Sequence, residues 1–178
     1  MLNCNNSELL ARARRVRLAV FDVDGVLTDG QLHFLPDGSE FKSFCTLDGQ
    51  GIKMLQQNGI QTAIITGRTS AVVAQRAANL GIRHVAQGRE DKLVALNELL
   101  ASLDLDHGDV AYLGDDLPDL AAIRAVSFGV AVANADSFVR QHADAVTSAR
   151  GGHGAAREFC EFILQASGKL QAIRQAYL

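Results

Sequence analysis

The sequence predicts an α/β fold, a parallel sheet with helices on both faces, from three observations. Short apolar runs of strand length recur along the 178 residues, at 18–21, 60–65, 83–86 and 109–113. Between them lie stretches whose apolar residues fall at helical spacing, and strands alternating with helices in this way make right-handed βαβ units. Three of the apolar runs end abruptly in polar groups, at Asp22, Thr66 and Asp115. Parallel strands bring their carboxyl ends to one edge of the sheet, so these groups are expected to converge there.

Each element follows in order. Residues 1–17 are polar, carry Arg12, Arg14, Arg15 and Arg17, and read as a short amphipathic helix. The run from Leu18 reads as a strand buried on both faces, and it ends in Asp22-Val23-Asp24-Gly25, where glycine allows a sharp turn. Two alternating runs, 31–35 and 39–44, flank Pro36-Asp37-Gly38 and predict a β-hairpin. Phe34, Phe41 and Phe44 make it unusually apolar, and a lone two-stranded hairpin is marginal, so it is expected to pair with copies from other subunits. Asp48 is read as the cap of a helix over 51–58, with Ile52 and Leu55 inward and Gly59 ending it.

The strand at 60–65 stops at Thr66-Gly67-Arg68, and Ser70 caps a helix carrying Val72, Val73, Arg76, Ala77 and Leu80, with Gly81 beyond. A third strand spans 83–86. Gln87-Gly88-Arg89-Glu90 leads into a helix with Lys92 in its first turn and Leu93, Leu96 and Leu100 behind it. The strand at 109–113 ends in Gly114-Asp115-Asp116-Leu117-Pro118-Asp119, and Pro118 suits a first helical turn. Two further strands are read at 127–132 and 145–147, a helix at 154–165 and a tail at 168–178. The whole of 1–178 is read as one domain with no internal repeat or linker, the hairpin at 31–44 being its only insert.

Composition narrows the partners. Net charge is −3, with 48% hydrophobic and 21% charged residues, which points away from nucleic acid and from an anionic membrane surface. No window has the length of a signal peptide's apolar core or of a membrane span. Cys4, Cys45 and Cys160 are odd in number and widely spaced, which argues against a disulfide framework or a zinc site and for a reducing cytoplasm.

The polar strand ends carry the chemistry. Asp22 and Asp24 repel unless a cation lies between them, and Mg²⁺ suits one or two carboxylates plus a phosphate. Asp22 can then attack phosphorus, and Asp24 can carry a proton as general acid and base. Thr66 and the backbone of Gly67 can bind a transferring phosphoryl oxygen, and Lys92, at a helix start, can neutralise its charge. Asp115 is the candidate for a further Mg²⁺ ligand; Asp116 and Asp119 either support it from beneath or cap the following helix. Singly, these are a turn, a solvated lysine and a helix cap; in this order, each at a strand or helix end, they make a phosphoryl-transfer site.

With these parts the chain resembles the haloacid dehalogenase superfamily, on Asp22-Val23-Asp24-Gly25-Val26, Thr66, Lys92 and the segment 114–119. The resemblance implies a Rossmann-like core, an aspartyl-phosphate on Asp22, and Mg²⁺ held by Asp22, the Asp24 carbonyl and Asp115. It also implies a hairpin in place of a cap domain, since neither gap between these motifs admits a larger insert. More narrowly the chain is similar to the capless 3-deoxy-D-manno-octulosonate 8-phosphate phosphatases, on the segments 21–30, 47–52, 65–68 and 151–158. That likeness implies a Mg²⁺-dependent hydrolase acting on a sugar acid phosphate in lipopolysaccharide synthesis. It further implies a homotetramer with hairpin and C-terminal tail at subunit contacts. Cys45, Thr46, Leu47, Asp48 and Gly49, with Lys53, Gly67, Arg68, Arg76 and Lys92, would handle the substrate. Arg68 can hold a carboxylate bidentately, and Arg76, two helical turns on, is expected to share its face. Relatives acting on a nine-carbon sugar acid phosphate carry Glu and Lys where this chain has Arg68 and Asn79, which favours the eight-carbon substrate. The alternatives are that nine-carbon activity or a non-catalytic tetramerisation module. His153 departs from the arginine common at its position.

Overall fold

Six parallel strands lie in the spatial order β5-β4-β1-β6-β7-β8 in a computed structural model that describes Leu2 and residues 6–178. The strands are β1 (Leu18–Phe21), β4 (Gln61–Ile65), β5 (His84–Ala86), β6 (Val110–Gly114), β7 (Phe128–Ala131) and β8 (Ala145–Val146). A separate antiparallel pair, β2 (His33–Phe34) and β3 (Glu40–Phe41), forms the hairpin. Met1, Asn3, Cys4 and Asn5, and with them the reading of Cys4, lie outside the described residues.

The helices are α1 (Ser7–Arg14), α2 (Thr46–Gln57), α3 (Ala71–Leu80), α4 (Lys92–Leu103), α5 (Leu117–Ala125), α6 (Ser137–His142), α7 (Ala155–Ala166) and α8 (Leu170–Gln175). From β1 the chain steps through α2 to β4 and through α3 to β5, then returns through α4 to β6 on the other side of β1 and continues outward to β8. Right-handed crossovers therefore put α2 and α3 on one face and α4, α5 and α6 on the other. The reversal of direction falls between β1 and β6, whose registers match Phe21 with Leu113. Asp22 and Asp115 follow these strands and flank that crevice, where ligands of open α/β sheets bind.

The central strands β1 and β6 are buried throughout, which explains their unbroken apolar runs. On the α2 face, α7 packs against α2 and α1, and Phe159 meets Phe21 edge-on with ring centroids 5.5 Å apart. Phe128 stacks between Phe159 and Phe162 at 6.1 and 5.1 Å. Removing one such ring would cost about 3–5 kcal/mol.

Several expectations are corrected. The helix read at 51–58 begins five residues earlier, at Thr46, with Cys45 as its unassisted N-cap. Asp48 is therefore inside the first turn and caps α7 instead, accepting from the N–H groups of Arg157 at 2.8 Å and Gly154 at 3.3 Å. Arg68 lies in the loop before α3, so it does not share a helical face with Arg76. The hairpin strands shrink to two residues each, because the segment makes its ladder only beside the turn. The N-terminal helix spans Ser7–Arg14 only, started by Asn6, whose side chain accepts from Glu8 and Leu9. Helix α6 was not read from sequence; its six residues are too few to show a helical period.

Candidate active site

The site grows from the end of β1. Asp22, 4% exposed, continues the ladder by donating its N–H to the Leu113 carbonyl at 3.0 Å. The chain then folds over the Thr28 hydroxyl, which accepts from Gly25 N–H at 3.3 Å and Gly30 N–H at 3.2 Å. Gly25 has φ 96°, and a Cβ there would stand 2.0 Å from Asp115 Oδ2. Glycine is thus required twice over, for the left-handed backbone and for the approach of Asp115. The Gly151-Gly152 segment backs the same loop: Gly152 donates to Val26 carbonyl at 2.9 Å, and a Cβ on Gly151 would overlap the Gly25 carbonyl.

Lys92 is the first residue of α4, and its ammonium lies 2.9 Å from Asp22 Oδ1 and 2.7 Å from Asp119 Oδ1. Asp119, 0% exposed, also accepts from the Tyr112 hydroxyl at 2.8 Å on Oδ1, and from Asp115 N–H at 3.1 Å and Asp116 N–H at 3.3 Å on Oδ2. Asp116 caps α5 in a reciprocal box with Asp119. The acidic turn therefore caps α5, and Asp119 at the same time holds the Lys92 ammonium and the Asp115 N–H.

Oxygens of Asp22, Asp115 and Asp119 lie within 4.8 Å of one another. Four donors occupy Asp119, whereas Asp22 meets the Lys92 ammonium through Oδ1. Burial, then the Asp119 charge, pushes Asp22 up to about 7 against the pull of Lys92. Burial and the charges of Asp22 and Asp119 push Asp115 up to about 8. For Lys92, burial works to lower its pKa, and the two carboxylates overcome it and raise it. Three gathered carboxylates against one ammonium leave an excess of negative charge, and an all-oxygen donor set of this kind fits Mg²⁺.

The other carboxylate, Asp24, meets residues that sequence reasoning missed. Its Oδ1 accepts from the ammonium of Lys42, whose side chain is 1% exposed, and its Oδ2 stands 3.8 Å from Arg68 Nε. Glu40 completes the group, 3.9 Å from Lys42 and 3.5 Å from Arg68. A hydrogen bond from the Ser70 hydroxyl, with the charges of Lys42 and Arg68, holds the Glu40 carboxyl below its ordinary value. The available signal was the strand period, which puts Glu40 and Lys42 on one side of the hairpin and Phe41 on the other.

The remaining expected residues divide. Thr66, buried, follows β4 beside β1, with Gly67 half-buried after it. Cys45 and Thr46 line an open cavity of about 470 Å³ with Asp29, Phe44 and His153. Leu47 is exposed on its rim side of α2, and Lys53 is exposed further along that helix. Arg76 runs beneath the loop rather than into the open: it donates to the Cys45 carbonyl at 3.3 Å, sits 5.5 Å from the Phe44 ring centroid, and would meet a Cβ on Gly49 at 2.5 Å. A second hollow of about 360 Å³, lined by Gln56, Ile60, Arg83 and His84, opens at the opposite sheet edge and holds no carboxylate.

Comparison with known proteins agrees with this geometry. Residues 82–159 match the family described as haloacid dehalogenase-like hydrolase. The chain is 44% identical, over 93% of its length and 88% of the relative's, to 3-deoxy-D-manno-octulosonate 8-phosphate phosphatase KdsC of Escherichia coli (strain K12). A crystal structure of a probable phosphatase from Pseudomonas syringae is 62% identical with TM-score 0.95, covering 97% of this chain and 98% of that one. A crystal structure of 3-deoxy-D-manno-octulosonate 8-phosphate phosphatase from Moraxella catarrhalis, in complex with magnesium, phosphate and KDO, is 44% identical with TM-score 0.96, covering 97% and 99%. With both the sheet-edge carboxylates and these likenesses in place, the chain belongs to the 3-deoxy-D-manno-octulosonate 8-phosphate phosphatase family of haloacid dehalogenase-like hydrolases.

Proposed function

We propose that this protein is a Mg²⁺-dependent phosphatase that hydrolyses 3-deoxy-D-manno-octulosonate 8-phosphate to the free sugar acid and phosphate. The observation that carries the reading is the Lys92 ammonium lying between Asp22 and Asp119 at the crevice where Asp115 also ends.

Asp22 attacks phosphorus in line, forming the O–P bond of an aspartyl-phosphate as the bond from phosphorus to the sugar oxygen breaks. Asp24 gives its proton to that departing oxygen. Asp24 then takes a proton from water, whose oxygen bonds to phosphorus and frees Asp22. Lys92 and Thr66 hold the non-bridging phosphoryl oxygens. Asp22, Asp115 and the Asp24 carbonyl would hold Mg²⁺, which would supply charge neutralisation at the phosphoryl group. Arg68, exposed at the mouth, is the residue for the sugar carboxylate, and Cys45 and Thr46 at the start of α2 line the open cavity.

The enzyme works as a homotetramer in the cytoplasm, built from single-domain subunits. Leu32, Phe34, Leu35 and Phe41 expose apolar surface on one small hairpin, which a subunit contact would cover. Cys45 and Cys160 are free thiols, as a reducing compartment keeps them, and no helix among the described residues is long and apolar enough to cross a membrane.

The test is phosphate release from the eight-carbon and nine-carbon sugar acid phosphates, with Mg²⁺ and with chelator. The eight-carbon substrate is expected to have the higher kcat/KM, with activity abolished by chelator and by Asp22→Asn in a folded protein. Activity retained by Asp22→Asn refutes the nucleophile.

A further inference from the structure

We propose that Lys42, just after the second strand of the hairpin, is a positioning residue that fixes the orientation of the Asp24 carboxylate. The inference rests on the phosphatase reading above and adds the hairpin to its machinery.

An ammonium removed from water is stable only where carboxylates meet it, so a lysine side chain 1% exposed is there for its partners. Lys42 has two, Asp24 Oδ1 in direct contact and Glu40 Oε2 at 3.9 Å. Among the described residues, Lys42 alone donates a hydrogen bond to the Asp24 side chain; Arg68 Nε stands farther off, at 3.8 Å. That single contact matters because the terminal torsion of an aspartate is broad and two-fold. With no anchor, either oxygen could face the reacting phosphate. With Oδ1 held by Lys42, Oδ2 is left on the side of Arg68, whose side chain is 43% exposed at the mouth.

The anchor is itself braced. Glu40 and Lys42 share one side of the strand, and Glu40 is tied to Arg68 at 3.5 Å and to Ser70, the N-cap of α3. The hairpin is thereby fastened to the sheet edge at the place where a proton must be passed. Phe34, paired across from Glu40, lies on this same side with its ring centroid 5.9 Å from the Arg68 guanidinium, while Phe41 turns to the other side and stacks on His33 at 4.7 Å.

The experiment compares Lys42→Met, Lys42→Arg and Asp24→Asn on 3-deoxy-D-manno-octulosonate 8-phosphate and on 4-nitrophenyl phosphate, whose leaving group departs without a proton. Lys42→Met should lower kcat on the sugar phosphate by about 10²-fold while KM moves by less than about threefold. On 4-nitrophenyl phosphate it should show a rapid burst of nitrophenolate equal to the enzyme present, followed by slow turnover, because only the water step still needs an oriented Asp24. Lys42→Arg should recover at least about a tenth of wild-type kcat. If Lys42→Met does not fold, the burst is read on Lys42→Ala, which removes the donor and lets water reach the partly exposed Asp24. A Lys42→Met protein (or its donor-free substitute) with kcat within about twofold of wild type, a loss confined to KM, or a burst slowed as much as the sugar reaction overturns the inference. Activity surviving in Asp24→Asn, or an inactive wild-type enzyme, would instead overturn the functional reading itself.

Discussion

Lys92 and Lys42 each bury an ammonium against one of the paired aspartates, yet their supports differ in kind. Lys92 opens a twelve-residue helix, and its partners end β1 and lie on α5, with Tyr112 of β6 bracing Asp119 from below. That chain of contacts ties two helices to the central strands. Lys42 follows a two-residue strand, and its partners Asp24 and Glu40 are each partly exposed, at 19% and 18%. The two lysine side chains are nearly equally shielded, 6% and 1% exposed, so burial does not separate them. The separation is in what else depends on the charge. Without Lys92, two carboxylates are left inside the core. Without Lys42, the neighbouring carboxylates can still turn toward water and Arg68.

The largest effect that would break this contrast is expected from Lys92→Met. It should lower kcat by about 10³-fold and destabilise the chelator-treated protein by about 3–5 kcal/mol in urea denaturation, as unpaired buried charges do. A Lys92→Met protein as stable as wild type would show the two lysines to be alike. Next is Gly25→Ala, which sets a Cβ against Asp115 Oδ2 on the same core side. Mg²⁺ affinity, read by activity against metal concentration, should fall by about 10–100-fold. On the hairpin side, Phe34→Ser should weaken subunit association, seen as a smaller species by light scattering at micromolar protein, while leaving the melting of each subunit within about 0.5 kcal/mol. An unchanged assembly would remove the hairpin from the contact.

The smallest effect belongs to a brace on neither side. Glu158 accepts N–H bonds from Ser148 at 2.9 Å and Ala149 at 3.0 Å, leading into the glycine segment that backs the aspartate loop. Burial works to raise its pKa, and these backbone donors overcome it, so the carboxyl sits below its ordinary value. A depressed folded pKa stabilises above the unfolded pKa and loses that contribution as pH falls through the folded one. Glu158→Gln should therefore cost about 1 kcal/mol at pH 7, after solvent screening, with the difference from wild type closing as pH falls through the depressed Glu158 pKa, below the ordinary glutamate range. A gap that persists in acid would assign the loss to packing.

Much of the core side was legible in the chain. The apolar runs named β1, β4 and β6, and the abrupt polar ends at Asp22, Thr66 and Asp115 pointed to one sheet edge because parallel strands leave no other arrangement. Ser70, Gly81 and Pro118 punctuated helices where expected. Asp48 was misread because a cap is a local pattern, whereas its carboxylate answers the start of α7 more than a hundred residues away. Lys42 and Glu40 went unseen for a related reason. On a hairpin, a charged residue every second position reads as a solvated face, and only docking of the hairpin turns that face inward.

The amino-acid sequence by itself determined the strand–helix alternation and which residue types stand at each strand end, since periodicity and turn chemistry are properties of neighbouring residues. Tertiary structure alone decided which of those groups are paired with which. It filled Asp119 with four donors, gathered Asp22 and Asp115 beside it, and brought Lys42 down onto Asp24. The reason is that an ion pair's partner is chosen by distance in space, and the folding of distant segments sets that distance.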